Sequence, residues 1–158
     1  MSATADREIV ISRLIDAPRA LVFEAFTDVR HLSQWWGPDG FTTTTQVFEF
    51  HTGGEWIFAM HGPDGTDYPE WISWTEIVPP ERIALLHGER RGDPNAFASL
   101  ITFADEGAAT RIEMRTLFPT QELRDEAVEK YHAIEGGQQT LGKLAAYVAG
   151  LVRTGGAG

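Results

Sequence analysis

Cysteine is absent from the 158 residues. That excludes disulfides, thiolate metal sites and a cysteine nucleophile, and it leaves the redox compartment open. Positive charge is scarce: 13 Lys and Arg stand against 23 Asp and Glu, a formal net charge of -10. So acidic a body repels phosphate backbones and anionic headgroups, and neither nucleic acid nor a membrane surface is an expected partner. No apolar run approaches the length of a membrane span, and Met1 to Arg7 lacks the apolar segment of a signal peptide. The expectation is a soluble, cytoplasmic protein. A Ser-centred elbow, a phosphate-cradling glycine loop and an internal repeat are also missing. What the chain holds in surplus is rings. Five Trp and nine Phe must line a core, a pocket or an interface.

The longest regular pattern runs from Thr120 to Val152, where Leu123, Ala127, Tyr131, Ile134, Leu141, Leu144, Ala145, Val148 and Val152 recur at helical three- and four-residue steps. Thr120 suits an N-cap, and Glu122, Asp125 and Glu126 suit the positive end of the helix dipole. Gly136-Gly137 costs such a helix about 1 kcal/mol per glycine relative to alanine. A break or kink is therefore expected between Ala133 and Gln138, with Gly137 on the inward stripe. Upstream the period is two. Glu8 to Ile15 alternates as a half-buried strand, and Pro18 to Phe26 and Arg30 to Trp35 form two short helices. Trp36 to Gly40 is loop. From Phe41 about six further strands follow, the last four expected at Trp71 to Val78, Ile83 to Gly88, Phe97 to Phe103 and Arg111 to Phe118, with Gly53-Gly54, Gly62-Pro63-Asp64-Gly65, Val78-Pro79-Pro80, Arg90 to Pro94 and Asp105-Glu106-Gly107 between strands. The expectation is one domain over 1–153 with a disordered tail over 154–158. Strands followed by a helix give an α+β fold: a single antiparallel sheet that curls around the helix.

Several segments carry a resemblance. Arg13-Leu14-Ile15-Asp16-Ala17-Pro18, Val22-Phe23-Glu24-Ala25-Phe26-Thr27-Asp28, Trp35-Trp36-Gly37-Pro38, Gly53-Gly54-Glu55-Trp56, His61-Gly62-Pro63-Asp64-Gly65, Glu76-Ile77-Val78-Pro79-Pro80-Glu81-Arg82 and Gln139-Thr140-Leu141 occur in this order. Together they resemble the START-like helix-grip (SRPBCC) superfamily, and within it the homologues of the C-terminal domain of the activator of heat-shock-protein-90 ATPase. The resemblance implies a curved antiparallel sheet of about seven strands around a long C-terminal helix, with two short helices between the first two strands. It also implies a cavity between sheet and helix that takes small apolar ligands, and in some branches performs cyclisation or hydrolysis. A stress-response role alongside the chaperone is implied only weakly, because the founding co-chaperone has a further chaperone-binding domain that is not seen in this sequence.

The residues expected to wall a ligand site are Trp35, Trp36, Phe41, Trp56, Phe58, Met60, Trp74, Ile112, Met114, Ile134, Gly137 and Leu141. Trp71 and Trp74 have opposite strand parity, so only one of the two points inward. His87 and His132, with Glu49 or Glu76, are the candidates for acid–base chemistry. His61, Asp64 and Asp67 are close in sequence, but Asp64 sits in a Pro-Asp-Gly turn that favours Asp for backbone reasons alone, and no metal or other cofactor is expected. Three functional classes remain open: a carrier or sensor of a small apolar or aromatic ligand, a cavity enzyme acting on an aromatic or polyketide-like substrate, and a module that binds a chaperone. A homodimer is carried as an alternative to a monomer. Polar side chains aimed into the cavity separate the first two classes. An inward His with a carboxylate neighbour favours chemistry.

Overall fold

The computed structural model describes residues 5–155, with side chains for 6–152. After a 3-10 turn at Ala5–Arg7 come β1 (Glu8–Ile15), α1 (Arg19–Glu24), α2 (Val29–Trp35), β2 (Thr42–Phe48), β3 (Glu55–His61), β4 (Asp67–Val78), β5 (Arg82–Gly88), β6 (Phe97–Glu106), β7 (Ala109–Leu117), α3 (Gln121–Glu129) and α4 (Ala133–Gly155). The seven strands form one curved sheet in the order β1-β7-β6-β5-β4-β3-β2. Every pairing is antiparallel. The first strand thus closes beside the last, and α1 and α2 fill the excursion between β1 and β2.

Side-chain alternation decides which face of the sheet is inside. Ile9, Ile11 and Ile15 of β1, Ile112 of β7, Ile101 and Phe103 of β6, Ile83 and Leu85 of β5, Ile72 and Trp74 of β4, and Trp56, Phe58 and Met60 of β3 are all buried. The register places them on a common face, as for Trp56 opposite Ile72 and Trp74 opposite Leu85. Val10, Leu14, Leu86 and Leu100 are exposed on the other face. The helix α4 packs against β1 and α2, burying Leu141, Leu144 and Val148 completely. Burial of each such side chain contributes about 1.5–3 kcal/mol, which outweighs the propensity cost of the glycines.

Two expectations about boundaries need correction. The long helix does break, but at Lys130 to His132, a turn before the glycines. His132 adopts φ 53 and its carbonyl accepts the first turn of α4 from Gly136 N at 2.8 Å. Thr120 caps α3 as expected, its Oγ1 accepting from Leu123 N at 3.1 Å. Secondly, β4 begins at Asp67 rather than at Trp71. Its pairing with β5 ends at Trp71–Gly88, so the residues before Trp71 pair only with β3 and have one open edge. Proline is tolerated on such an edge, and Pro69 does not stop the strand. Of the expected tail, 154 and 155 belong to α4, and 156–158 lie outside the described residues.

Candidate functional site

The middle of the concave face is filled by rings. Trp35, Trp56, Trp74, Phe26 and Phe103 have almost no exposure. Trp56 stacks on Phe58 with centroids 3.7 Å apart, Phe26 meets Trp35 edge-on at 4.8 Å, and Phe26 meets Phe103 at 5.3 Å. Trp35 Nε1 donates to Ala25 O and Trp56 Nε1 to Thr45 Oγ1. Trp74 Nε1 and Thr43 Oγ1, both buried, hydrogen-bond to nothing among the described residues. Trp74 is therefore the inward tryptophan of its strand. Trp71 lies on the outer face, where its Nε1 donates to Glu55 Oε2 at 2.7 Å. Arg91 clamps the same carboxylate with two bonds of 2.7 Å. These contacts, Arg91 first, hold the Glu55 pKa down at about 2.

One end of the concave face is chemically different. His87 stands opposite Ile72 on β4 and Phe97 on β6, with Glu70 one step along the inner row of β4 and opposite Phe58. Its ring is surrounded by Phe97 at 4.8 Å and by Trp36 and Phe58 at 6.3 Å each. His87 Nε2 lies 3.6 Å from Glu70 Oε1, and the two side chains are only 14% and 18% exposed. Neither makes another side-chain hydrogen bond among the described residues. Ser99 and Thr116, further along the same face, satisfy each other at 3.1 Å. Phe118 is buried 5.2 Å from Phe97. An inward histidine beside a carboxylate, walled by rings, can accept, donate or share a proton with a bound molecule.

The loop 36–40 covers this end. Trp36 turns its ring onto Trp35, Trp56 and His87. The backbone behind it is tied to α4: Lys143 Nζ donates to Gly37 O and Pro38 O at 3.2 Å each, and Asp39 N donates to Gln139 Oε1 at 3.1 Å. Burial lowers the Lys143 pKa, and Asp39 opposes that shift. Nearby, His31 Nδ1 and Tyr147 Oη share a 2.6 Å hydrogen bond that joins α2 to α4. Burial raises the Tyr147 pKa, with Asp28 and Glu24 adding to it.

The expected site residues divide accordingly. Trp36, Phe58, Met60 and Trp56 lie on or beside the His87 end, and Phe41, Met114 and Ile134 are half-buried around the core. Trp35, Trp74, Ile112 and Leu141 are deep core. Gly137 leaves no ligand space: a Cβ there would overlap Cδ1 of Ile11, so the glycine exists for close contact between α4 and β1. Among the acid–base candidates only His87 faces inward. His132 is exposed in the break between α3 and α4, and Glu49 is exposed beyond the end of β2. Glu76 is paired with Arg82 at 2.7 Å beside Ala84, opposite in parity to the inward Ile77–Ile83 pair. Glu70 is not among the expected residues, although it shares the parity of Ile72 and Trp74, because it precedes Trp71, where the strand is expected to begin. His61 bonds Asp67 through Nδ1 and Thr44 through Nε2, both at 2.7 Å, on the exposed outer face. Asp64 turns instead to Thr66 N. No group of three or more His, Asp or Glu side chains that could hold a metal occurs among the described residues.

The sequence profile of the family described as Activator of Hsp90 ATPase homolog 1-like protein matches residues 16–149. The chain belongs to this family. Comparison with curated proteins finds no match. Among solved structures, a protein from Arthrobacter aurescens is 22% identical with a TM-score of 0.83, over 94% of this chain and 90% of that one. Protein Ms6760 from Mycobacterium smegmatis is 22% identical with a TM-score of 0.83, over 95% and 96%. A protein from Chromobacterium violaceum is 25% identical with a TM-score of 0.78, over 90% and 96%. These likenesses establish the helix-grip fold. In this AHSA1-like chain an opening lies at the far end of the sheet from His87. It is an apolar cleft of about 470 Å³ between α1 and the β4–β5 corner, lined by Phe23, Phe50, Ile77, Pro79 and Pro80, with Glu24 and Thr27 among its polar lining residues. It is wide open to solvent and has little with which to orient a ligand.

Proposed function

We propose that this protein binds a small, largely apolar or aromatic ligand at the His87 end of the concave face, under the loop 36–40, as a carrier or sensor. The observation that carries the reading is the pair His87–Glu70, two side chains of strong hydrogen-bonding capacity held 3.6 Å apart, with the His87 ring among Trp36, Phe58 and Phe97. At 14% and 18% exposure the two side chains keep only limited access to water, and a polar group on a bound molecule can take the place of that water. The rings supply the apolar walls that small-molecule sites share. An inward histidine beside a carboxylate is also the feature that separates a cavity enzyme from a bare carrier, so the same pair favours a second reading in which binding is the first step of acid–base chemistry on the bound molecule. A chaperone-binding surface is supported less. The exposed Val10, Leu14, Leu86 and Leu100 are divided by the Arg111, Glu113 and Arg115 row of β7, and Trp71 is covered by Glu55 and Arg91.

The neutral dye N-phenyl-1-naphthylamine tests the location. Its fluorescence should rise on titration and saturate at one dye per chain. Trp36→Ala should weaken binding at least fivefold, while Phe50→Ala, in the open cleft, should leave it unchanged. Loss of binding in Phe50→Ala with retention in Trp36→Ala would move the site to the cleft and overturn the reading.

A further inference from the structure

Resting on that reading, we propose that the bound molecule carries a hydroxyl group, and that this hydroxyl sits between His87 Nε2 and Glu70 Oε1, donating to the carboxylate and accepting from the imidazole. The 3.6 Å gap is the first argument. It is longer than a hydrogen bond, whose heavy atoms lie about 2.7–3.2 Å apart, yet one oxygen can sit about 2.8 Å from both ends of a 3.6 Å line. Three other pairs close directly, Arg91–Glu55, Arg82–Glu76 and His61–Asp67, each at 2.7 Å, and the pair that stays wider, Arg115–Glu113 at 3.9 Å, is on the exposed face. The His87–Glu70 pair is open, although it is more buried than any of those.

The surroundings narrow the class. Trp36, Phe58 and Phe97 present rings to the imidazole at tilts of 39° to 50°, and Phe118 lies behind Phe97, so the body of the ligand meets aromatic walls and is itself flat and apolar. Glu70 repels a carboxylate or a phosphate at the same spot. A group that accepts without donating leaves Glu70 unpaired, a penalty that makes sites built around hydrogen bonds selective against analogues lacking the donor. Ser99 and Thr116 do not compete for the ligand, since their hydroxyls bond each other. The class that fits is a neutral aromatic molecule with one hydroxyl, in which the oxygen both gives and takes a hydrogen bond.

The test needs the full chain and four commercial probes of one shape: 2-naphthol, naphthalene, 2-methoxynaphthalene and 2-naphthoate, each titrated against tryptophan fluorescence. We expect 2-naphthol to bind at least tenfold more tightly than the other three. His87→Phe and Glu70→Leu should each reduce 2-naphthol to the level of naphthalene while naphthalene binding persists. Should both variants fail to fold, the wild-type contrasts still decide, because the methyl ether keeps the acceptor oxygen and loses the donor while naphthalene adds no bulk and loses both. Equal affinity for 2-naphthol and either of these, or a preference that survives in folded variants, overturns the hydroxyl proposal and leaves apolar binding standing. Failure of all four probes to bind removes the ligand reading and the proposal together.

Discussion

Lys143 puts the only ammonium of α4 against two backbone carbonyls, and its removal is a direct test of how the covering loop is held. The carbonyls belong to Gly37 and Pro38. Lys143→Met keeps an apolar stem of similar length and removes both bonds. Hydrogen bonds from a charged donor contribute about 1.5–3 kcal/mol when buried, and the partial exposure here discounts that. The expected cost is about 1–2 kcal/mol in the urea midpoint, with faster amide exchange confined to the loop 36–40. A neutral midpoint with unchanged exchange would mean that Gln139 and the Trp36 ring hold the loop alone. Residue-level chemistry was only half legible beforehand. His87 could be read from its place on a strand, because period two gives each residue a side. Its carboxylate partner could not, since Glu70 precedes Trp71, where the strand is expected to begin, and the open edge that admits Pro69 exists only once β5 is known to stop at Gly88.

At the scale of elements, alternation was enough to locate β1 at Glu8–Ile15 and the cap at Thr120, because both are set by residues close in sequence. The glycines that mark an expected break lie inside α4 instead, and distant residues explain them. Gly136 lies under Pro38, where an added Cβ would be 3.3 Å from Cγ, and Gly137 lies on Ile11. The glycines are there for two neighbours at remote positions in the chain, and a local propensity scale reads them as a helix break. This gives a signed prediction. Gly137 is not in the left-handed region, so a side chain there meets no backbone penalty. Gly137→Leu should overpack the contact and cost about 1–3 kcal/mol or more. Gly137→Ala should be near neutral, since the overlap is with the free end of a flexible side chain and the helix gains about 1 kcal/mol. In an Ile11→Ala background the leucine penalty should shrink, a coupling that a double-mutant cycle in urea measures. A leucine penalty of the same size in both backgrounds would show that Ile11 is not the obstacle.

At the scale of the whole molecule two electrostatic effects oppose each other as the pH falls. With 23 acidic against 13 basic side chains, the folded chain repels itself at pH 7, and protonation towards the isoelectric point near 4.8 relieves that. Against this stand carboxylates that the fold holds ionised. The Arg30 side chain and backbone N–H bring Asp28, the cap of α2, down to about 2, and Arg91 with Trp71 does the same for Glu55. Asp93 is lowered by the N–H groups of Glu89 and Asn95, Asp64 by Thr66, and Glu76 by Arg82. For each the folded pKa lies below the unfolded one, so the unfolded chain binds more protons between the two values and stability rises with pH there. The contribution of Asp28 and Glu55 is whole above about pH 4.5 and is lost as the pH falls through about 2, and Asp93, Asp64 and Glu76 act in the same direction. Urea midpoints should therefore peak near about pH 5 to 6, declining slowly towards pH 8 and steeply below pH 4. Sodium chloride separates the two effects, because about 0.1 M salt already screens exposed charges beyond about 10 Å. Added salt should raise the midpoint at pH 7, where net repulsion dominates, and lower it or leave it unchanged at pH 5, where only the attractive pairs remain to be screened. A midpoint that climbs steadily to pH 8 and ignores salt would show that the acidic surface does not strain the fold.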